Sequence, residues 1–469
     1  ATLVANNESD FLDQDRIRRH LKAFEGIAHA HGNSRAVNLG HRESGDYIFN
    51  VLQRTNACDT LETQWFSSPV WTELRPPHLT LISPYEITFQ HKVDFQSMRF
   101  GGNTTQLLNV PVIAVPSGGC RQQEYSTEVQ GAVVLLQEDK GCSFWDAAYA
   151  AENRGAAGVL FYNRPTRKQL LRSRVRLDEW KAGDPLITIP VLTASYSVGQ
   201  LLTGAPNVRI NLDIAARTTV ESTFNVLCEW KGDDPDDTVV AGAHLDSVAA
   251  GPGINDNGSG SATLLEILLT LRQQGFQPSR RLLFAWWGAE EDGLMGSKHF
   301  VRTLKAASED SLVDNVPESP VRSSWPIRAP ITWDQIALYL NFDMLASPNY
   351  VSLVFRAADA PPDVVVEATY IQRAFEEFFQ SRGYTYELTD MITGSDFVPF
   401  MKNGVPTGGL ATGAGKIKTV EQRRLHGGLA NAAFDTCYHN ACDTVENINW
   451  EALYRMSEAA AHVIIALAE

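Results

Sequence analysis

Apolar residues near the start of the chain recur at the spacing of one helical face: Leu12, Ile17, Leu21, Phe24 and Ile27. This spacing predicts a helix within residues 10–30. A similar pattern predicts a second helix over 42–53, and a run of strand-forming residues follows at 61–66. From about Tyr85 the pattern changes to short β-type runs that are separated by Gly and Pro: 110–115, 131–136, 158–162 and 187–192. One predicted helix, 143–154, lies among these runs, so the middle of the chain is predicted to be β-rich.

From about Ser222 onward, apolar strands alternate with helices. The predicted strands are 239–243, 281–287, 337–342 and 405–411. The predicted helices are 260–274 and 364–382, and the polar, Pro-bearing segment 306–330 predicts a surface loop. The alternation predicts an α/β fold with a mixed, mostly parallel sheet that is flanked by helices and interrupted by a smaller β-rich insert.

Length and charge narrow the class of protein. A chain of 469 residues exceeds what one hydrophobic core supports, so two or three domains are expected. The formal net charge of −15 argues against nucleic acid or a membrane as partner and favours an acidic monomer. The apolar stretch 451–469 includes Arg455 and Glu458 and predicts an amphipathic core helix instead of a membrane span. The chain begins at Ala1 without a signal segment, which predicts a processed product, although a trimmed expression fragment would begin in the same way.

The chain has six cysteines, none of them in a CxxC zinc motif: Cys58, Cys120, Cys142, Cys228, Cys437 and Cys442. An even number without metal spacing favours disulfides in an oxidising compartment, with six reduced cysteines in a cytosolic protein as the alternative. Cys437 and Cys442 can close a small loop, and Cys120 and Cys142 flank a predicted strand that a bridge could span. Cys58 and Cys228 are then a third pair or two buried thiols. Sequons permit N-glycosylation at Asn7, Asn103 and Asn257, of which the last is expected to stay bare.

Ionisable side chains follow three of the predicted strands. His244 follows the first, and Asp246 is placed to accept the second N–H of its imidazole. Glu290 and Glu291 follow the next strand, where one carboxylate can ligate a metal while its neighbour moves protons. Asp343 follows the third, and an acid at the end of a buried strand needs a partner such as a metal.

Two further candidates lie on loops. Asp256 stands in the Gly-rich run NDNGSG (255–260), which leads into a predicted helix. His439 lies between Cys437 and Cys442, whose bridge would hold it and Tyr438 in place. Taken alone, each of these residues also fits an ordinary surface pair, helix cap or acidic loop. Trp286 and Trp287 are predicted to pack in the core.

The combined set is more specific than its parts. The carboxyl ends of neighbouring strands in an α/β sheet meet at one crevice, so the strand-end residues can converge there. Two histidines, two aspartates and one glutamate make a mixed nitrogen and oxygen set that suits zinc without a thiolate. Five ligands exceed the three that one catalytic zinc usually takes, but they serve two zincs about 3.5–4 Å apart when one carboxylate bridges.

These segments resemble the clan MH zinc aminopeptidases, which include bacterial leucyl-type and fungal leucine aminopeptidases. The matching stretches are HLD (244–246), NDNGSG (255–260), GAEE (288–291), NFDM (341–344) and CYHNACDT (437–444). The middle region resembles the protease-associated (PA) domain that some members carry, through VPSGGC (115–120), GCSF (141–144) and GAAGVLF (155–161). The resemblance implies a zinc exopeptidase fold over 1–84 and 217–469, with a PA domain inserted at 85–216.

The resemblance also implies a role for each site residue. His244 and Asp343 would hold one zinc, Glu291 and His439 the other, and Asp256 would bridge them. Glu290 would be the general base and then the acid, and Tyr438 would stabilise the tetrahedral oxyanion. Met344 and Phe397 are expected near the pocket for the first side chain of the substrate.

The implied activity is removal of the first residue, leucine or another apolar one, from peptides with a free N-terminus. A carboxypeptidase, a glutaminyl-cyclase-like transferase and a non-catalytic receptor ectodomain are the alternatives. Secretion is expected, with delivery to a vacuolar lumen as the second possibility.

Overall fold

The computed structural model describes residues 11–116, 118–139, 141–308, 331–391 and 394–469. Its α-helices are α1 (Gln14–Ala30), α2 (His41–Thr55), α3 (Phe144–Asn153), α4 (Tyr196–Gly204), α5 (Gly260–Gln273), α6 (Met295–Ser308), α7 (Val365–Ser381), α8 (Phe397–Lys402), α9 (Val420–His426) and α10 (Trp450–Ala468). Its strands are β1 (Thr60–Ser83), β2 (Ile87–Thr88), β3 (Phe95–Ser97), β4 (Thr105–Ala114), β5 (Val133–Gln137), β6 (Gly158–Tyr162), β7 (Val191–Ala194), β8 (Arg209–Trp230), β9 (Asp234–His244), β10 (Arg280–Trp287), β11 (Ile336–Phe342), β12 (Leu353–Phe355), β13 (Glu387–Thr389) and β14 (Thr407–Ala411).

The chain forms two compact units, one from residues 1–68 and 221–469 and the other from 69–220. In the first unit the strand order is β13-β12-β14-β11-β9-β10-β8. Strands β14, β11, β9 and β10 are mutually parallel, whereas β8 and β12 join them antiparallel. The predicted mixed, mostly parallel sheet is therefore confirmed. The domain boundaries predicted at 84/85 and 216/217 stay a prediction.

Both faces of this sheet are covered, which explains why its strands read as continuous apolar runs. In β10, Leu282, Phe284 and Trp286 face one apolar cluster that includes α5 and α10. The alternate residues, Leu283 and Trp287 among them, face a second cluster with α6 and α8. Trp286 and Trp287 are both fully buried, so the predicted packing role of the two tryptophans is confirmed.

The second unit has its own sheet, in the order β8-β4-β5-β6-β7-β3, with β4 to β7 parallel. Alternate residues of β5 again face two clusters, one with α3 and the other with α4. The strand predicted at 187–192 is wrong in its first half, because β7 begins only at Val191. Ile187 is buried, but Pro190 has no N–H to donate to a ladder.

Several elements were not predicted from the sequence, namely α4, α6, α8, α9, β2, β3, β8, β12 and β13. Most of them are short and carry too few residues for a clear periodicity, but α6, with 14 residues, and β8, with 22, are long enough and were missed. Of the surface loop predicted at 306–330, residues 306–308 form the end of α6, and 309–330 lie outside the described residues. Among the described residues, no helix is both long and apolar enough to cross a membrane.

All six cysteines form disulfides: Cys58–Cys228, Cys120–Cys142 and Cys437–Cys442. The two predicted pairs are confirmed, and the alternative that the sequence left open for Cys58 and Cys228 is resolved as a third pair. Of the sequons, Asn103 is exposed, Asn257 is fully buried and Asn7 lies outside the described residues. The Asn257 amide donates to the Phe342 carbonyl oxygen, so its nitrogen is occupied.

Candidate metal centre

Three adjacent parallel strands bring candidate residues to one edge of the sheet. His244 is the last residue of β9, Glu290 and Glu291 follow β10, and Asp343 directly follows β11. In the sheet β9 lies between β11 and β10. The carboxyl ends of parallel strands share one edge, so local sequence and strand order together make these side chains neighbours.

Asp256 reaches the same edge from a buried turn, Ile254–Ser259, that precedes α5. The turn is held from outside, because the backbone N–H groups of Asn255 and Asp256 donate to the two oxygens of Asp443 at 2.9 and 3.0 Å. The Asn255 side chain donates to Asp435 at 2.7 Å. Asp443, from the far end of the chain, thus fixes the backbone of the residue that is expected to bridge, and Asp435 holds the side chain of its neighbour Asn255.

His439 approaches from the loop that the Cys437–Cys442 disulfide closes. Its φ of 59° lies in the left-handed region, which is uncommon for a residue with a side chain and is maintained here within a short closed loop. The Tyr438 and His439 rings stack with their centroids 3.8 Å apart. The disulfide loop therefore presents both rings together, as the sequence predicts.

The five candidate ligands form two groups that share Asp256. His244 Nε2 lies 3.2 Å from Asp256 Oδ1 and 3.3 Å from Asp343 Oδ1. His439 Nε2 lies 3.1 Å from Asp256 Oδ2 and 3.0 Å from Glu291 Oε1. Each oxygen of Asp256 thus faces a different histidine. In each group the potential ligand atoms lie within 4.8 Å of one another.

The donor set fits zinc. Asp343 Oδ1 and Glu291 Oε1 are buried, and each faces an imidazole nitrogen of another candidate ligand, His244 Nε2 at 3.3 Å and His439 Nε2 at 3.0 Å, respectively. Buried carboxylates need a compensating positive charge, which a metal ion supplies. Nitrogen from imidazole and oxygen from carboxylate are the ligand types that catalytic zinc takes in such sites.

The electrostatics of the cluster show how strongly it attracts positive charge. Burial disfavours protonation of His244, but the carboxylates of Asp343 and Glu290 outweigh it and hold its pKa well above the usual value. For His439, burial is likewise outweighed by Glu291 and Asp256, which raise its pKa to about 10. Burial raises the pKa of Asp256, but the hydrogen bonds and the charges of the two histidines together outweigh this effect, so the pKa lies below its usual value. A divalent ion would replace the protons on these imidazoles.

Glu290 and Tyr438 lie beside the cluster of candidate ligands, and both have a raised pKa. Burial, followed by the influence of nearby carboxylates, raises the pKa of Glu290 well above the usual value. Its carboxylate makes no hydrogen bond to any described residue. Burial likewise raises the pKa of the Tyr438 hydroxyl, so that it remains a hydrogen-bond donor at neutral pH. An unpaired carboxyl group and a protonated phenol are suited to proton transfer and to stabilising an oxyanion, respectively.

Asp246 orients the site by a different route from the one that the sequence suggests. His244 Nδ1 donates to the backbone carbonyl oxygen of Asp246 at 3.1 Å, while the nearest carboxylate oxygen is 3.8 Å away. The carboxylate accepts instead from the backbone N–H groups of Glu290 and Glu291, at 3.0 and 3.2 Å. The backbone of Asp246 thus fixes the tautomer of the histidine, and its side chain positions the glutamate pair.

Two residues near the candidate ligands were missed by reasoning from the sequence. Ser395 donates to Asp343 Oδ2 at 2.6 Å and accepts from the Asn341 amide at 2.9 Å. Arg35 is fully buried and donates to the carbonyl oxygens of Leu245, Pro252 and Gly253. Both lie far along the chain from the groups they contact, so no local motif indicates them.

The residues expected near the substrate pocket are both buried. Phe397 packs against Phe355, with ring centroids 5.2 Å apart, inside an apolar cluster. Met344 directly follows Asp343, and its backbone has a φ of 57°. Its position next to a candidate ligand keeps Met344 close to the site, whereas Phe397 has the surroundings of a core residue.

Residues 225–464 match the peptidase family M28, and residues 108–202 match the PA domain. An aminopeptidase from Pseudomonas aeruginosa is 34% identical over 470 residues, which cover 96% of this chain and 80% of that protein. A probable leucine aminopeptidase 2 from Arthroderma benhamiae is 30% identical over 450 residues, with 95% and 81% covered. The crystal structure of a zinc aminopeptidase from Bacillus subtilis has the same fold, with a TM-score of 0.60 at 20% identity over 96% of this chain and 94% of that one.

Proposed function

The chain belongs to peptidase family M28, and from this premise we propose that it is a di-zinc aminopeptidase that hydrolyses the first peptide bond of peptides with a free N-terminus. The protein is an aminopeptidase hydrolase of a zinc-dependent family. The resemblance to zinc aminopeptidases that carry a PA domain, which the sequence motifs indicate, is confirmed. The number of zinc ions, their ligands, the roles of single residues and the preferred first residue are the proposed part.

The proposal assigns His244 and Asp343 to one ion, Glu291 and His439 to the other, and Asp256 to both. The observation that carries it is the position of Asp256, whose two oxygens lie 3.2 and 3.1 Å from two different imidazoles. A carboxylate shared in this way is the expected bridge between two ions. When bound, zinc supplies Lewis-acid chemistry, which acidifies water and polarises a carbonyl group.

The side chains of the protein supply the rest of the reaction. Glu290 takes the proton of the attacking water and passes it to the leaving amine. The hydroxyl of Tyr438 donates a hydrogen bond to the oxyanion that develops on the scissile carbonyl. Acidic groups around the site receive the free ammonium group of the substrate, so a blocked N-terminus is excluded.

Four further properties belong to the proposal. Leucine or another apolar first residue is preferred, which agrees with the printed name of the fungal relative and with Met344 beside Asp343. The enzyme acts as a monomer and is secreted, and its three disulfides suit an oxidising compartment. Residues 85–216 form the inserted PA domain, with 1–84 and 217–469 as the catalytic domain.

A comparison of leucyl peptides with free and acetylated N-termini tests the activity. We expect cleavage of the free peptide after its first residue and no cleavage of the acetylated one. A chelator should abolish the activity, and added zinc should restore it. Elemental analysis of the active protein should find two zincs per chain. Cleavage of the acetylated peptide, or release of residues from the C-terminus, would contradict the proposed aminopeptidase.

A further inference from the structure

A segment at the edge of the candidate site has no part in the proposed mechanism. We call residues 414–431, which follow β14 and precede the Cys437–Cys442 loop, the rim segment. Its base is tied to the site, because the Asp435 N–H donates to the Ala414 carbonyl oxygen at 3.0 Å and the Phe434 N–H to that of Lys416 at 2.9 Å. A Cβ atom at Gly415 would stand 3.5 Å from the ring of Tyr438. The rim segment therefore begins directly beside the candidate catalytic tyrosine.

The rim segment continues along the same edge of the sheet. Its helix α9 is anchored to Glu387, which accepts from Gln422 Nε2 at 2.9 Å and lies 3.2 Å from His426 Nε2. Leu353 of β12 pairs with both Ala411, the last residue of β14, and Glu387, the first residue of β13. Glu387 thus lies at the carboxyl edge of β14. From β11 to β13 there are three strand spacings, or about 14 Å, the reach of about four extended residues.

The exposed side of the rim segment is unusually apolar. Four of its large hydrophobic residues are half or more exposed: Ile417, Val420, Leu425 and Leu429. Only ten such residues occur in the whole described part of the chain, and these four lie within thirteen positions. A cluster of exposed apolar residues next to a site is typical of a surface that binds another molecule.

The same surface is cationic on an acidic protein. Lys416, Arg423 and Arg424 are exposed and pair with no acidic side chain among the described residues, while the one acid of the segment is Glu421. The whole chain has a formal net charge of −15. Cations in the last turn of α9 favour the helix C-terminus, which accounts for Arg423 and Arg424 but not for Lys416 or the exposed apolar residues. The combination matches a partner that is both acidic and apolar.

The proposed activity identifies that partner. In an aminopeptidase the first residue of the substrate ends in the site, so the rest of a bound peptide can leave it only toward the C-terminus. We propose that the rim segment binds the residues downstream of the cleaved bond, and that its cations favour acidic residues at about the second to fifth positions of the peptide. This inference rests on the proposed function.

Charge reversal on α9 tests the inference. The substrates are leucinamide, which has no downstream residue, and the peptides Leu-Gly-Glu-Glu-Leu and Leu-Gly-Lys-Lys-Leu. We expect the wild type to prefer the acidic over the basic peptide in kcat/KM. In Arg423→Glu/Arg424→Glu that ratio should fall by about tenfold, through KM and not kcat, and the change should shrink at high salt. Turnover of leucinamide should stay unchanged, which shows that the variant is folded and its site intact.

The matched control is Lys22→Glu/Arg54→Glu, which reverses two exposed cations on α1 and α2 and changes the net charge equally. Its ratio should equal that of the wild type. The inference is overturned if the wild type does not distinguish the two peptides, or if the control shifts the ratio as much as the α9 variant does. Failure of the wild type to hydrolyse leucinamide would refute the proposed function and, with it, this inference. Normal turnover of leucinamide with an unaltered ratio in the α9 variant would refute the inference alone.

Discussion

Arg35 places a full positive charge inside the protein, held by backbone carbonyl groups. Its side chain is 0% exposed, and it donates to Leu245, Pro252 and Gly253. These three residues belong to the segment that links His244 to Asp256. Burial lowers the pKa of the guanidinium to about 10, so it is still charged at neutral pH. Arg35 thereby ties two candidate ligands together through the backbone.

Replacement of Arg35 tests this tie. Arg35→Leu leaves three buried carbonyl oxygens without a charged donor and should lower the free energy of unfolding by about 3–5 kcal/mol. Urea unfolding of metal-free protein measures the change without a contribution from bound ions. Arg54→Leu, at an exposed position, is the control and should change the stability by less than about 0.5 kcal/mol. Equal midpoints for the two variants would show that Arg35 does not stabilise this segment.

Glu290 is expected to act on protons without holding metal. Glu290→Gln keeps the shape of the side chain but cannot accept the proton of the attacking water. We expect kcat to fall by about 10²- to 10⁴-fold while the zinc content stays at the wild-type value. Glu367→Gln, on the exposed face of α7, is the matched control and should be fully active. Full activity of Glu290→Gln would remove this residue from the mechanism.

At the scale of elements, the three disulfides differ in what they constrain. Cys58–Cys228 joins two residues of the first unit that are 170 positions apart in the chain, whereas Cys437–Cys442 closes a loop of 5 around Tyr438 and His439. On the chain-entropy model these closures stabilise by about 5 and about 2 kcal/mol, respectively. The long closure should therefore matter for stability, and the short one for the geometry of the site.

Paired alanine variants separate these two effects. Cys58→Ala/Cys228→Ala should lose about 5 kcal/mol of stability yet retain activity where it is folded. Cys437→Ala/Cys442→Ala should lose only about 2 kcal/mol, with a larger loss of zinc affinity and kcat/KM. Denaturant unfolding and zinc titration measure the two quantities. The reverse order of stability losses would contradict the entropic account.

At the scale of the whole molecule, bound zinc should contribute to folding. The native state gathers three carboxylates and two imidazoles that are far apart in the unfolded chain, so metal binding favours the native state. An ion present at a hundred times its dissociation constant adds about 2.7 kcal/mol to the free energy of unfolding. For two ions in a protein of this size, we expect a chelator to lower the melting temperature by about 5 °C.

The control for the chelator experiment is Asp256→Asn, which weakens the shared ligand. Its melting temperature should depend much less on the chelator, because it binds less metal from the start. Differential scanning calorimetry with and without added zinc measures both proteins. An identical melting temperature for the wild type in chelator and in zinc would contradict a structural contribution of the metal.

The layout of strands and helices around the site could be predicted from the sequence, because a strand that is buried on both faces appears in the sequence as a continuous run of apolar residues. Continuous apolar runs predicted β9, β10 and β11, and the ionisable residues at their ends followed from the position of each run. The disulfide loop around His439 was also apparent, because its two cysteines are only 5 residues apart. Elements such as α9, with seven residues, and β13, with three, were missed because they are too short for a periodicity to show.

The sequence by itself thus determined the type of sheet, the family and the candidate ligands, since each depends on residues close together in the chain. Tertiary structure alone decided that Asp256 faces two histidines, that the Asp246 carboxylate accepts from the backbone of the glutamate pair, and that Cys58 pairs with Cys228. It also decided the contacts of Arg35, which lie more than 200 residues away. The physical reason is that hydrophobic periodicity records only whether a position is buried, whereas the partner of a buried polar atom depends on which distant segments pack against it.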